Sequence, residues 1–254
     1  MTTFSQVDPD LLFPDSDGKP MADNTEQFRW IVTIKENLEI LFAAREDVFI
    51  AGDLLWYPLK STLVAPTAPD AMVVFGRPKG RRGSYKQWQE DEIAPQVVFE
   101  ILSPSNTAAE MARKREFYET YGVEEYYQFD PDRLRLQGWQ RQAEQLVEIP
   151  NMIGWVSPRL GIRFGLSEVD MELYRPDGQR FLTSIELEAR AVQAESNADR
   201  QKLIANEQQA RAEQAEAQLQ QVVQNLLRSG LPIEQVAQMT GLSIAAVTDY
   251  SKPT

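Results

Sequence analysis

The sequence predicts an α/β (α+β) fold, a mixed β-sheet flanked by helices, followed by a long C-terminal helix and a small helical element. Three observations predict it. Between residues 25 and 182, short β-branched or apolar runs are interspersed with helix-period segments. From 183 to 225 the chain is dominated by Ala, Gln and Glu and contains no Gly or Pro. After 225 apolar residues return at helical spacing.

Residues 1–24 are rich in Asp, Pro, Ser and Gly and read as a mobile, disordered tail. From Thr25 to Ala44, Ile31, Ile34, Leu38 and Leu41 recur at helical spacing. The segment 48–58 (VFIAGDLLWYP) reads as one strand with a bulge at Gly52. AMVVF at 71–75 and QVVFEIL at 96–102 read as central strands. The 76–96 connection shows no periodicity, and loops longer than ~12–15 residues are often functional. Thr107 and Glu110 have capping-box spacing for a helix that Gly122 stops. Strands follow at 125–130, 134–140, 145–149, 161–165 and 171–175, with turns at Pro131-Asp132, near Gln142 and at Pro176-Asp177-Gly178.

The 183–225 stretch predicts a single helix of about 60 Å at ~1.5 Å per residue. Leu187, Ala191, Ala194, Ala198, Gln201, Ala205, Gln208, Ala212, Ala215, Leu219, Val222 and Leu226 follow steps of 4 and 3, a heptad seam poor in large residues. A coiled-coil homodimer and a solvent-exposed spacer both fit. In 226–254, Ala237, Gly241 and Val247 have helix-turn-helix spacing, with Pro232 and Ser243 at the helix starts. The segment 243–250 has no Arg or Lys and carries Asp249, which suits packing or a protein partner better than DNA.

Composition removes whole classes of chemistry. The 254 residues include no Cys and no His, so zinc sites, disulfides, thiol nucleophiles and Ser-His-Asp triads are excluded. A metal would be held by oxygen, which favours Mg²⁺ or Mn²⁺. The net charge of −12 argues against generic nucleic-acid binding but leaves room for a local basic surface. No apolar run approaches the ~20 residues that cross a bilayer. The N-terminus lacks signal-peptide character, so a cytoplasmic location is expected.

Three residues could carry chemistry together. Asp70 follows Pro69 at the mouth of a strand; alone it reads as an ordinary turn residue. Glu100 lies inside an apolar strand, where a carboxylate is costly unless paired or bound to a cation. Lys114 shares the stripe of Met111, Tyr118 and Tyr121, so it points inward, either to snorkel, to pair with Glu100 or to act in catalysis. Two carboxylates on a divalent cation and an ammonium near an attacking water suit phosphodiester hydrolysis. Arg77, Lys79, Arg81, Arg82 and Lys86, interspersed with Gly76, Gly80 and Gly83 and followed by Trp88, could grip phosphates. Glu90, Asp91 and Glu92 could instead neutralise them.

The pieces APDAMVVF (68–75), VVFEILSPSN (97–106) and K-x-x-x-Y-x-x-x-GVEEYYQFDP (114–131), in this order and spacing, resemble the Uma-type family of restriction endonucleases, numerous in cyanobacteria and placed in the PD-(D/E)XK nuclease superfamily. The resemblance implies a restriction-endonuclease-like domain over 25–182. It also implies a Mg²⁺- or Mn²⁺-dependent endonuclease acting on DNA, with Asp70 and Glu100 as metal ligands and catalytic residues. The superfamily lysine two positions after the acid is replaced by Leu102; the resemblance puts Lys114 in that role. Glu26, Glu36 or Asp53 could complete the metal site. The alternative is an inactive nuclease-fold scaffold that assembles through its C-terminal helix.

Overall fold

The apolar runs at 71–75 and 97–101 pair inside a six-stranded sheet, as strands buried on both faces must. The structure, a computed structural model, describes residues 12–18 and 20–251. In chain order the elements are α1 (Thr25–Leu41), β1 (Val48–Ala51), β2 (Trp56–Tyr57), β3 (Ala71–Phe75), β4 (Tyr85–Lys86), β5 (Val97–Ile101), α2 (Ala108–Thr120), β6 (Glu125–Asp130), β7 (Arg135–Gln142), β8 (Gln145–Glu148), β9 (Arg163–Leu166), β10 (Met171–Tyr174), α3 (Ser184–Arg228), α4 (Ile233–Thr240) and α5 (Ile244–Tyr250).

The sheet order is β1-β3-β5-β6-β7-β8. All neighbours are antiparallel except β5 and β6, which α2 joins as the crossover a parallel pair requires. Side chains alternate between two covered faces. Ile50, Ala71, Val73, Phe99 and Ile101 pack with Trp30, Ile31, Ile34 and Leu38 of α1. Phe49, Met72, Val74, Val98 and Tyr126 pack with Tyr118 of α2. Each fully buried large aliphatic side chain contributes roughly 1.5–3 kcal/mol.

Helix α2 starts where its capping box predicts. Thr107 is the N-cap, and its Oγ1 accepts from the Glu110 amide at 3.2 Å. Gly122, at φ 93°, follows its end. Other segments differ from expectation. The strand read over 48–58 breaks into β1 and β2, because Asp53 turns at φ 46° and gives its amide to the Pro69 and Asp70 carbonyls. Helix α1 stops at Leu41 rather than Ala44. The expected tail packs in part: Phe13 is buried against Tyr57 and Trp88, an apolar anchor among acidic and turn-forming neighbours. Residues 1–11 of that tail lie outside the described residues.

The chain divides into two compact units, Met1–Leu187 and Glu188–Thr254. Residues 188–218 of α3 are exposed throughout. The second unit has its own small core of Val223, Val236, Ala237 and Val247. Gly241, in the left-handed region at φ 71°, ends α4, and Ser243 caps α5 by accepting from the Ala246 amide at 3.2 Å. Among the described residues no helix is long and apolar enough to cross a membrane.

Thr107→Ala removes the cap of the helix that carries Lys114. The expected loss is about 1 kcal/mol of unfolding free energy, read as a lower urea midpoint at constant slope. An unchanged midpoint would show that the cap contributes nothing to this helix.

Candidate functional site

Strand register gathers acids at one end of the sheet. Ala71 lies opposite Phe99, so the next step sets Asp70 beside Glu100. Ala51 lies opposite Met72, and beyond it the Asp53 amide reaches the Pro69 and Asp70 carbonyls at 3.1 and 3.3 Å. Strand alternation sends Glu100 with Val98 to the face that α2 covers. From α2, Lys114 Nζ donates to Glu100 Oε2 at 2.8 Å. One turn later the Tyr118 hydroxyl donates to Glu100 Oε1. Glu100 is 3% exposed, so both of its oxygens are held inside the protein.

Asp70 is also buried, and its Oδ2 accepts from the Ile101 amide at 2.6 Å. On the other side, Gln27 of α1 donates Nε2 to the Ile101 carbonyl at 2.9 Å and accepts from the Asp23 amide at 2.9 Å. A cavity of about 180 Å³ opens here, lined among others by Asp17, Gln27, Asp53, Asp70, Glu110 and Lys114. Glu100 lies behind this lining, reached through Lys114.

The electrostatics are those of an under-compensated acidic site. Burial, and then the neighbouring Glu100, push the Asp70 carboxyl up to about 8. Burial and Asp17 push Asp53 up to about 6, although Lys114 opposes the shift. Burial alone would lower Lys114, but Glu100 and Asp70 outweigh it and raise the ammonium above its ordinary value. The lysine therefore stays charged at neutral pH. One cation faces Glu100, Asp70 and Asp53.

That donor set is all oxygen and short of positive charge, which fits a hard divalent cation. Among the described residues no three acidic side chains form a ready metal cage. Such a set would offer an ion Asp70 and one or two further oxygens rather than a closed cage.

The other sequence candidates separate. Glu26 pairs with Arg29 and Glu36 with Lys35, so neither joins the cavity, whereas Asp53 lines it. In the basic loop, Arg77 pairs with Glu90 and Asp91, and Arg82 pairs with Glu90 and lies over the Phe49 ring at 3.9 Å. Lys79 Nζ donates to the Phe42 and Ala43 carbonyls. Lys86 Nζ lies 3.7 Å from Asp15, and Arg81 is exposed. The neutralising acids thus hold two of the five cations.

Gln27 and Tyr118 have roles at the site that the sequence reading did not assign. Both had a signal: Gln27 precedes Ile31 by one turn on the buried stripe, and Tyr118 follows Lys114 by one turn. A second cavity, of about 310 Å³, lies between α2 and β6–β7, and Arg115, Arg133 and Arg135 line it beside Gln128 and Gln137.

In metal-free protein the folded-state value of Asp70 lies above its unfolded value, so the folded state binds the extra proton between them. Stability is then full at acidic pH and falls as pH rises toward 8. Asp70→Asn removes this titration and keeps an acceptor for the Ile101 amide. We expect it to raise Tm in chelator at pH 8 by ~4 °C or more, with a much smaller change at pH 5. An equal effect at both pH values would contradict the buried-carboxylate reading.

The profile of the family described as "Uma2: Putative restriction endonuclease" matches residues 19–172. Among solved structures, the chain is similar to a putative nuclease belonging to DUF820 from Anabaena variabilis, at 15% identity and a TM-score of 0.42, over 55% of this chain and 74% of that one. No curated protein matches. The match spans more than half of the chain, and the protein belongs to the Uma2 family of restriction-endonuclease type.

Proposed function

We propose that the protein is a divalent-metal-dependent endonuclease that hydrolyses DNA phosphodiester bonds at the cavity formed by Asp70, Glu100 and Lys114. The observation that supports this reading is the meeting of these side chains, from β5, α2 and the residue before β3, in a site with more buried acid than base. Asp70, with Glu100 and Asp53 beside it, would hold Mg²⁺ or Mn²⁺. When bound, the ion supplies Lewis-acid polarisation of the phosphate.

The protein's own groups do the rest. As a ligand Asp70 would have to be deprotonated, so metal affinity should rise with pH. Lys114, charged, donates hydrogen bonds to the attacking water or to the oxygens that gain negative charge. Its raised proton affinity suits charge stabilisation better than proton abstraction. Tyr118 fixes one oxygen of Glu100 and leaves Lys114 to share the other.

Supercoiled plasmid with Mg²⁺ or Mn²⁺ tests the reading. Wild type should nick it, and Glu100→Ala and Lys114→Ala should each lower the rate by about 10²-fold or more. Equal nicking by wild type and Glu100→Ala would assign the activity to a contaminant. Calorimetric titration with Mn²⁺ should show binding that Asp70→Asn abolishes and that strengthens between pH 6 and 8.

A second feature bears on assembly: the unburied seam of α3. Glu188, Glu195, Lys202 and Glu216 flank one side of it and Arg190 and Arg211 the other. In a parallel, in-register pair Arg190 would meet Glu195 of the second copy and Arg211 would meet Glu216. An antiparallel pair would face each flank with its own copy and lose these two Arg–Glu pairings. We infer a parallel homodimer, which would bring two sites to one duplex. Light scattering after gel filtration should give twice the chain mass, reverting to one mass in Ala198→Glu/Ala212→Glu. A monomer across the micromolar range would leave α3 as a spacer and count against a scaffold that assembles through it.

A further inference from the structure

Beside the acidic cavity, the chain fills a second recess with its own residues. The Phe13 ring lies edge-on to Tyr57 (centroids 5.5 Å apart, 89°) and to Trp88 (4.9 Å, 60°). The Tyr57 hydroxyl donates to the Pro14 carbonyl at 2.7 Å. One residue on, the Asp15 carboxylate accepts from Ser84 Oγ at 2.6 Å and lies 3.7 Å from Lys86 Nζ. Gly83 completes the seat, because a Cβ there would collide with that carboxylate. Two residues further, Asp17 lines the cavity of Asp53, Asp70 and Lys114. A flat ring against aromatic side chains, then an anion on a Gly-Ser-Lys seat, then the catalytic cavity is the order in which one nucleic-acid strand would present base, phosphate and scissile phosphate.

We propose that Tyr57, Gly83, Ser84, Lys86 and Trp88 form a subsite for one nucleotide unit of the substrate strand. In this structure Phe13 and Asp15 occupy it as internal mimics of base and phosphate. The assignment of the ligand as nucleic acid rests on the nuclease reading. Its physical content is separate: aromatic faces accept any base, and a hydroxyl, an ammonium and a side-chain-free backbone accept a phosphate without reading sequence. Because the occupant is tethered, it competes at high effective concentration, and apparent affinity for a strand is reduced by the fraction of molecules in which the segment is seated. Asp15 is exposed on its outer side, so its replacement alters the competition without opening the core.

The test uses the full chain and a fluorescein-labelled single-stranded 12-mer at low salt in chelator, which prevents cleavage, read by anisotropy. Asp15→Ala and Asp15→Lys should each tighten binding by about five-fold or more. Adding Lys86→Ala or Trp88→Ala to Asp15→Ala should remove the gain, with circular dichroism unchanged. Asp15 variants that bind no better than the parent, or no binding by any variant, would overturn the subsite. With Mg²⁺ in place of chelator, Asp15→Ala should nick plasmid faster than wild type, and an unchanged rate in an active enzyme would equally overturn it. If no variant nicks DNA yet the anisotropy gain appears and depends on Lys86, the nuclease reading fails and the subsite stands.

Discussion

The pairing of Glu100 with Lys114 and Tyr118 is the constraint on which the rest of the domain turns. A carboxylate inside β5 is tolerated only if its lost hydration is replaced, and the replacements come from two successive turns of α2. That requirement fixes which face of α2 meets the sheet. It also sets the rotation of the helix and brings the one cation of the site over the end of β3. The aromatic packing follows: Tyr118 stacks parallel to Trp56, and Tyr126 beside it stacks on Trp139. Losing either partner of Glu100 would leave a buried charge, so the fold and the candidate chemistry depend on the same contacts.

The site trades stability for charge. Asp70 and Asp53 keep their protons at pH values where free carboxyls have lost them, and the nearest ammonium is already engaged with Glu100. Asp53 adds a backbone cost, since a non-glycine residue at φ 46° is uncommon outside turns, although Asp tolerates it better than most. Such an arrangement persists because the neighbouring strands over-determine it: the Asp53 amide is held by the Pro69 and Asp70 carbonyls, and the Asp70 side chain by the Ile101 amide.

Much of this was legible in the residues, and the parts that were not have a common cause. β3, β5 and β6 are runs of β-branched and aromatic residues between clear stops, and α2 carries its own cap, so local chemistry defines them. The inward turn of Lys114 followed from helical period alone. The break at Gly52-Asp53 did not, because a glycine in a strand pattern reads equally as a bulge; what decides it is the bonding of the Asp53 amide to the Pro69 and Asp70 carbonyls just before β3. In the basic loop composition left two readings open, and Arg77 and Arg82 fold back on Glu90, a pairing set by the turn at 87–89 rather than by sequence distance. Phe13 was hidden for the same reason, as its partners Tyr57 and Trp88 lie far along the chain.

The acidity of the chain ties these features together. If the substrate is the polyanion proposed above, a protein with a net charge of −12 has few cations to spend, with Arg77 and Arg82 already committed to its own acids. Contact with a phosphate backbone would then rest on a small number of local charges, such as Lys86, Lys114, Arg81 and the arginines of the second cavity, Arg115, Arg133 and Arg135. The number of phosphates neutralised sets the salt dependence of binding, so binding here should be shallow in its response to salt compared with a basic DNA-binding domain. On the proposed subsite, the same shortage would let a single carboxylate, Asp15, compete with a substrate strand.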